Sequence, residues 1–167
     1  MASCASAISI SWVIVLDVRP VSQEQTRALR QSVLRPHQSV DEMADDEAPE
    51  AFAAGAFDGG DLIAVGLAAP DGTPGSWRVR GMATAPRARG QGAGTAILDA
   101  LIQHATDRGA HRIWCNARTP ARSLYERAGF RVTSEEFEVP DIGPHYVMEL
   151  TASDPPAAEP ATPQAAA

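Results

Sequence analysis

The sequence of 167 residues predicts an α/β domain: a mixed, mostly antiparallel central sheet with flanking helices and one central strand-helix-strand unit. Two turn signals, Asp58-Gly59-Gly60-Asp61 and Asp71-Gly72-Thr73-Pro74-Gly75, separate three apolar runs, the pattern of an antiparallel meander. A glycine-punctuated turn between Arg89 and Gly94 then joins an apolar strand to a segment of helical periodicity that leads into another strand. That order requires a parallel crossover. The apolar share of 44% is enough to bury one core.

Each element has a local reason. Trp12 to Val18 reads as a first strand, and Ser22 with Gln25 forms a capping-box start for a helix that Arg35-Pro36 stops near Leu34. A loop follows, carrying Asp41, Glu42, Asp45, Asp46, Glu47 and Glu50. Ala51 to Phe57 and Leu62 to Ala69 make a hairpin, and Trp77 to Thr84 is the next strand. Ile97, Leu98, Leu101, Ile102 and Ala105 recur at helical spacing until Gly109, before a short strand from His111 to Cys115. Pro120 to Ala128 reads as a helix stopped by Gly129, and two last strands run near Phe130 to Val139 and His145 to Leu150. The folded domain spans 10–150, with a loose start at 1–9 and a disordered Ala/Pro-rich tail at 151–167.

Composition narrows the function classes. A net charge of −7 argues against nucleic acid as the main partner, and no run reaches the length of a membrane helix. Met1 to Leu16 is apolar but lacks the basic start of a secretion signal. Cys4 and Cys115 alone make neither a disulfide framework nor a metal site, so a reducing cytoplasm and no metal are expected. The acidic loop admits two readings, recruitment of a cationic ligand or a solvated face.

The turn at Arg89, Gly90, Gln91, Gly92, Ala93, Gly94 and Thr95 suits a phosphate cradle, because glycines allow close approach and a helix start offers unbonded N–H groups. The plain alternative is a turn that only lets a strand enter a helix; three glycines at about 0.5–1 kcal/mol each call for more. A Walker loop needs a lysine that is absent here, and a dinucleotide fingerprint needs glycine where Thr95 or Ile97 stands.

That turn, after the strand end Met82-Ala83-Thr84 and before Ala121-Arg-Ser-Leu-Tyr125-Glu-Arg-Ala-Gly129-Phe130, resembles the GNAT superfamily of acyl-CoA N-acyltransferases. The resemblance covers the whole folded region. It implies acetyl-CoA as co-substrate, its pyrophosphate held by the amides of Gly90 to Thr95 and its pantetheine arm along Met82, Ala83 and Thr84, with the strand at Cys115 diverging. Asn116 and Ser123 would add polar contacts, although Asn116 equally fits a plain strand end. The acceptor implied is a small-molecule or peptide amine, and a homodimer is common among relatives.

The resemblance makes Tyr125 the general acid for the departing thiolate. A phenol near pKa 10 can give a proton to a thiolate near 8.5 at a cost of about 2 kcal/mol, while the bland reading is a packed tyrosine. Some relatives carry a glutamate base where Ile113 stands, and many carry asparagine where Arg118 stands. His145 is the alternative base, since imidazole titrates near 6.5, or else a histidine bonded at a strand edge; Glu135, Glu136, Glu138 and Asp141 are expected near the same cleft. Direct attack by the amine is favoured over an acyl-cysteine on Cys115. A hydroxyl acceptor and a non-catalytic acyl-CoA sensor are the alternatives.

Overall fold

The structure, a computed structural model, describes residues 16–152. The expected loose start at 1–9, positions 12–15 of the expected first strand, Cys4 and the tail from 153 onward lie outside the described residues.

Strand β1 is Asp17–Val21 and helix α1 Gln23–Leu34, with Ser22 and Gln25 making the reciprocal capping box and Arg35 as C-cap. Among the described residues the first strand overlaps the expected one at Asp17 and Val18 and continues past its expected end to Val21. Pro20 sits inside it, which is tolerated because β1 is a sheet edge and pairs only with the strand after it. The acidic loop forms a 3₁₀ helix, Asp41–Asp46, anchored by buried Met43.

The meander follows as β2 (Phe52–Asp58), β3 (Asp61–Pro70) and β4 (Ser76–Thr84), all antiparallel. Helix α2 (Ala93–Asp107) leads to β5 (Arg112–Arg118), which pairs parallel with β4 and completes the crossover. Strand β5 extends past the expected end at Cys115 to Arg118, because β8 pairs with it throughout. Where a helix from Pro120 was expected, a 3₁₀ turn (Thr119–Ala121) precedes α3 (Arg122–Arg127). The expected strand from Phe130 to Val139 is two short ones, β6 (Arg131–Val132) and β7 (Phe137–Val139), both paired with β8 (Gly143–Thr151). Ser134 interrupts them, its hydroxyl accepting from the Val147 amide at 2.9 Å and so replacing a ladder bond.

The sheet runs β1-β2-β3-β4-β5-β8-β6, with β7 also on β8. Helix α2 packs on one face: a Cβ on Gly66 would stand 2.8 Å from Ile97 and 2.9 Å from Leu101, so the helix lies directly on the strand. Helix α1 covers the opposite face, where the Arg30 side chain crosses over Gly81. The apolar core, including Ile97, Leu98, Leu101, Ile113, Phe130 and Met148, lies on the α2 side.

One feature of the sheet creates the site. Strands β4 and β5 pair only from Ser76 to Arg78 against Arg112 to Trp114, and part beyond. The closed end is clamped by Asp71, which accepts from the Thr73 amide at 2.9 Å, the Ser76 hydroxyl at 2.6 Å and the Trp114 indole N–H at 2.6 Å. Arg112 adds a fork onto Glu149, with Nε at 3.1 Å from Oε2 and Nη2 on Oε1. Burial alone would push the Asp71 carboxyl up, but those hydrogen bonds outweigh it and hold it down at about 2.

Candidate active site

The parting of β4 and β5 opens a cleft of about 740 Å³, and the start of α2 bounds a second pocket of about 310 Å³. Thr84, Arg89, Gly90, Leu124 and Arg127 line both, so the two are continuous.

The smaller pocket is built from the glycine turn. Gly90 and Gly92 take φ of +73° and +84°, in the left-handed region that favours glycine. A Cβ on either would meet nothing within 4 Å, so both positions border open space rather than packed protein. Gly92 caps α2 without a side-chain bond, and the first intrahelical acceptor is its own carbonyl, bonded by the Ala96 amide at 3.0 Å. The N–H groups ahead of Ala96 therefore precede the helical ladder and present the positive end of its dipole. Gly92, Ala93, Gly94 and Thr95 all line this pocket. Gln91 departs from expectation: its side chain donates to the Arg87 carbonyl at 3.2 Å and faces neither pocket, leaving only its backbone for a ligand.

Strand β4 supplies the wall of the larger cleft. Its register with β3 shifts between Val65 and Leu67, opposite Gly81, whose φ is +62°. Such a bulge interrupts the ladder and frees backbone groups of β4 at the point where β5 has moved away. Met82 and Thr84 line the cleft. The Ala83 side chain does not, because strand alternation turns it into the sheet's other face, where it is 3% exposed; only its backbone remains available.

Two titratable residues reach the cleft from opposite faces. Tyr125 of α3 is 5% exposed, edge-on to Phe130 with ring centroids 5.5 Å apart, and its hydroxyl is within bonding reach of the Cys115 thiol. Burial, and then the Cys115 neighbour, raise the Tyr125 phenol above its ordinary value, so it stays protonated. Burial likewise pushes the Cys115 thiol up to about 12, which keeps it un-ionised at neutral pH.

His145 of β8 is 6% exposed and pairs across the sheet with Arg118, placing both on the α1 face, whereas Cys115 points to the α3 face. The imidazole Nδ1 lies 2.7 Å from the Gly143 carbonyl, an acceptor only, so Nδ1 carries a proton, and in the neutral imidazole Nε2 is the accepting nitrogen. Phe137 flanks the ring at 6.0 Å. Asn116 and Ser123 also line the cleft, both exposed.

Other carboxylates expected nearby are elsewhere. On β7 the alternation turns Phe137 and Val139 inward and Glu138 out, and Val139 and Ile142 line the cleft rather than Glu135, Glu136 or Asp141. Glu136 instead accepts from the Thr119 hydroxyl at 2.8 Å. In the acidic loop, Glu42 accepts from the Ser39 amide at 2.6 Å and Glu47 pairs with Arg27 at 2.7 Å, and among the described side chains of that loop Met43 alone reaches the cleft. The residues sequence reasoning missed are arginines: Arg30, Arg78 and Arg80 line it, together with Arg118, which stands where many relatives carry asparagine. The alternation Arg78-Val79-Arg80, with both charges on one strand face, was the available signal.

Among the described residues no cluster of side chains could hold a metal ion, and no helix is long and apolar enough to cross a membrane.

Known proteins are similar to this chain in sequence or in architecture. The profile of the acetyltransferase (GNAT) family matches residues 18–130. The uncharacterized N-acetyltransferase YitI of Bacillus subtilis (strain 168) is 34% identical over 144 residues, spanning 82% of this chain and 97% of that protein. The ribosomal-protein-S18-alanine N-acetyltransferase from Escherichia coli aligns over 84% of this chain and 97% of its own, with a TM-score of 0.68 at 18% identity. An aminoglycoside 6′-N-acetyltransferase solved with coenzyme A aligns over 81% and 96%, with a TM-score of 0.68 at 14% identity. At such identities these two show a shared fold.

Proposed function

The chain belongs to the GNAT acetyltransferase family and is an acyltransferase; from that premise we propose that it moves an acetyl group from acetyl-CoA to an amine by direct attack on the thioester. The observation that carries the reading is the continuity of the two pockets. A polyanion seated on the α2 start can run its thioester arm through shared Thr84, Arg89 and Gly90 into the gap between β4 and β5.

In this reading the coenzyme pyrophosphate accepts from the amides of Gly90 to Thr95, and the pantetheine amides add to the edge of β4 along Met82 to Thr84 as an extra strand would. Asn116 and Ser123 are polar contacts beside that arm. The thioester carbonyl then lies at the bulge, where freed backbone N–H groups of β4 oppose the charge that develops on its oxygen.

The amine comes from the α1 face. Its lone pair forms the C–N bond, its surplus proton passes to His145 Nε2 directly or through one water, and the C–S bond breaks toward Tyr125. Because burial raises the Tyr125 phenol, full proton transfer to a thiolate costs more than the sequence suggested. The hydroxyl therefore serves first as a hydrogen-bond donor that stabilises sulfur as it leaves, with the proton following. Cys115 takes no acyl group, since a buried thiol held near pKa 12 supplies almost no thiolate.

The test is release of free coenzyme A thiol from acetyl-CoA in the presence of an amine panel, with the product identified by mass. An amide product supports the proposal. An ester product would indicate a hydroxyl acceptor, and acetyl-CoA binding with no turnover on any acceptor would favour a sensor.

A further inference from the structure

The half of the cleft that faces α1 is walled by permanent cations. All fourteen basic residues of the chain are arginine, and against a net charge of −7 half of them gather on this one cleft. They fall into two groups. Arg89 and Arg127 also line the glycine-turn pocket, so they belong with the coenzyme phosphates. Arg30, Arg35, Arg78, Arg80 and Arg118 line only the larger cleft.

The second group is set apart by the sheet itself. Arg78 and Arg80 pair across with Ala69 and Leu67, and Leu67 meets Arg30 over Gly81, which puts them on the α1 face. Thr84 contacts Gly94 on the other face, beside α2. Arg118 shares the α1 face with His145. These five arginines therefore stand where an acceptor enters, with the sheet between them and the glycine turn.

Two of the guanidinium groups, those of Arg78 and Arg118, are braced. Arg78 lies 4.7 Å over the Trp114 ring, whose N–H is tied to Asp71. Arg118 donates to the Leu34 carbonyl at 2.6 Å, the negative end of α1. Arg35 stands close enough that its charge, after burial, lowers the hold of Arg118 on its own proton. Like charges kept together in a partly desolvated wall favour an anion in front of them. Val33, Leu34, Met43, Val139 and Ile142 complete the lining with apolar surface.

We propose that the acceptor is an amine that itself bears an oxyanion, a carboxylate or a phosphate-type group, on an apolar body: Arg78, Arg80 and Arg118 hold the oxyanion on the α1 face, leaving the amine to point at His145. The planar forks of arginine match either oxyanion with two parallel hydrogen bonds, which a lysine could not supply. This inference rests on the acyltransferase reading. It also reverses the cationic acceptor that the acidic loop suggested, since Glu42 and Glu47 of that loop are held by the Ser39 amide and by Arg27.

The experiment reads binding before turnover. Protein saturated with coenzyme A is titrated by calorimetry and thermal shift with a panel of apolar amino acids, their decarboxylated amines and their aminophosphonate analogues. The anionic member of at least one matched set should bind tenfold or more tighter than its bare amine, and kcat/KM should follow the same order; carboxylate against phosphonate decides between the two oxyanions. Arg78→Gln and Arg80→Gln should erase that preference at least tenfold while leaving the acetyl-CoA thermal shift in place. Arg80→Lys should retain part of it, and Arg131→Gln, on exposed β6, all of it. Equal or tighter binding of the bare amines, no anion-dependent binding anywhere in the panel, or a preference untouched by both glutamine variants would overturn the proposal. Loss of the acetyl-CoA shift in the unaltered protein is a different failure, since it defeats the acyltransferase reading and is read without any acceptor.

Discussion

In the proposed mechanism Tyr125 and His145 divide the chemistry between the faces of one sheet. Tyr125→Phe removes the donor to the leaving sulfur and keeps the ring packing against Phe130, so kcat should fall by about 10²–10⁴-fold with coenzyme A affinity nearly unchanged, as single-turnover kinetics would measure. The raised Tyr125 phenol carries a sign with it: a proton held more tightly is lost at higher pH, so the rate should show no fall from tyrosine ionisation up to about pH 10. An alkaline fall below that, absent in Tyr125→Phe, would show that the phenol ionises earlier than its burial implies, whereas unchanged turnover in Tyr125→Phe would remove the tyrosine from its role. His145→Gln should cut kcat by about 100-fold or more with little change in acetyl-CoA affinity, because only Nε2 of the locked tautomer accepts a proton. That both side chains share one cleft was legible through their positions, Tyr125 before Gly129-Phe130 and His145 at the entry to the last strand. The arginines Arg30, Arg78 and Arg80 were not read so, because charges in a strand or helix, even the alternating pair Arg78 and Arg80, read as solvent-facing until the fold shows that the strand beside them has moved away.

At the level of elements, the start of α2 and the start of α1 do different work. Gly92→Ala places a methyl group at a φ of +84° and into the pocket, so it should cost about 1–2 kcal/mol in stability and weaken coenzyme A binding at least tenfold, measured by calorimetry. Ser22→Ala loses one arm of the capping box and should cost about 1 kcal/mol, read as a drop of about 2–4 °C in Tm, with coenzyme A binding unaffected because α1 sits on the acceptor face. The Ser22 box, the Gly59-Gly60 hairpin turn and the Gly109 and Gly129 stops were readable because turn and cap chemistry is local. The end of β1 at Val21, the 3₁₀ helix at Asp41–Asp46 and the break between β6 and β7 were not. Each is decided by a partner distant in the chain: β2 for Pro20, the core for Met43, and Val147 for Ser134.

For the whole molecule, the closed end of the split links stability to pH. The Asp71 carboxyl is held at about 2, below its ordinary value of 3.8, so its bonds stabilise the fold fully above that ordinary value and are lost as pH falls from about 4 toward 2. Glu149, lowered mainly by its bond to Arg112, adds in the same direction. Acid unfolding should therefore steepen in that window, and Asp71→Asn should flatten the slope; an unchanged slope would show that the clamp contributes nothing. The parallel crossover that makes a split conceivable was legible from the order of strand, glycine turn, helix and strand. Its length was not, since only the register of Ser76–Arg78 against Arg112–Trp114 tells where β4 and β5 separate. Everything proposed for this protein depends on the glycine turn binding acyl-coenzyme A across that separation. The most direct measurement is the melting temperature with and without acetyl-CoA, in the unaltered protein and in Gly92→Ala. A ligand that binds only the native state at about 100 times its Kd adds about 2.7 kcal/mol, a rise of several degrees that Gly92→Ala should largely abolish. No rise in the unaltered protein, or a rise equally large in Gly92→Ala, would contradict it.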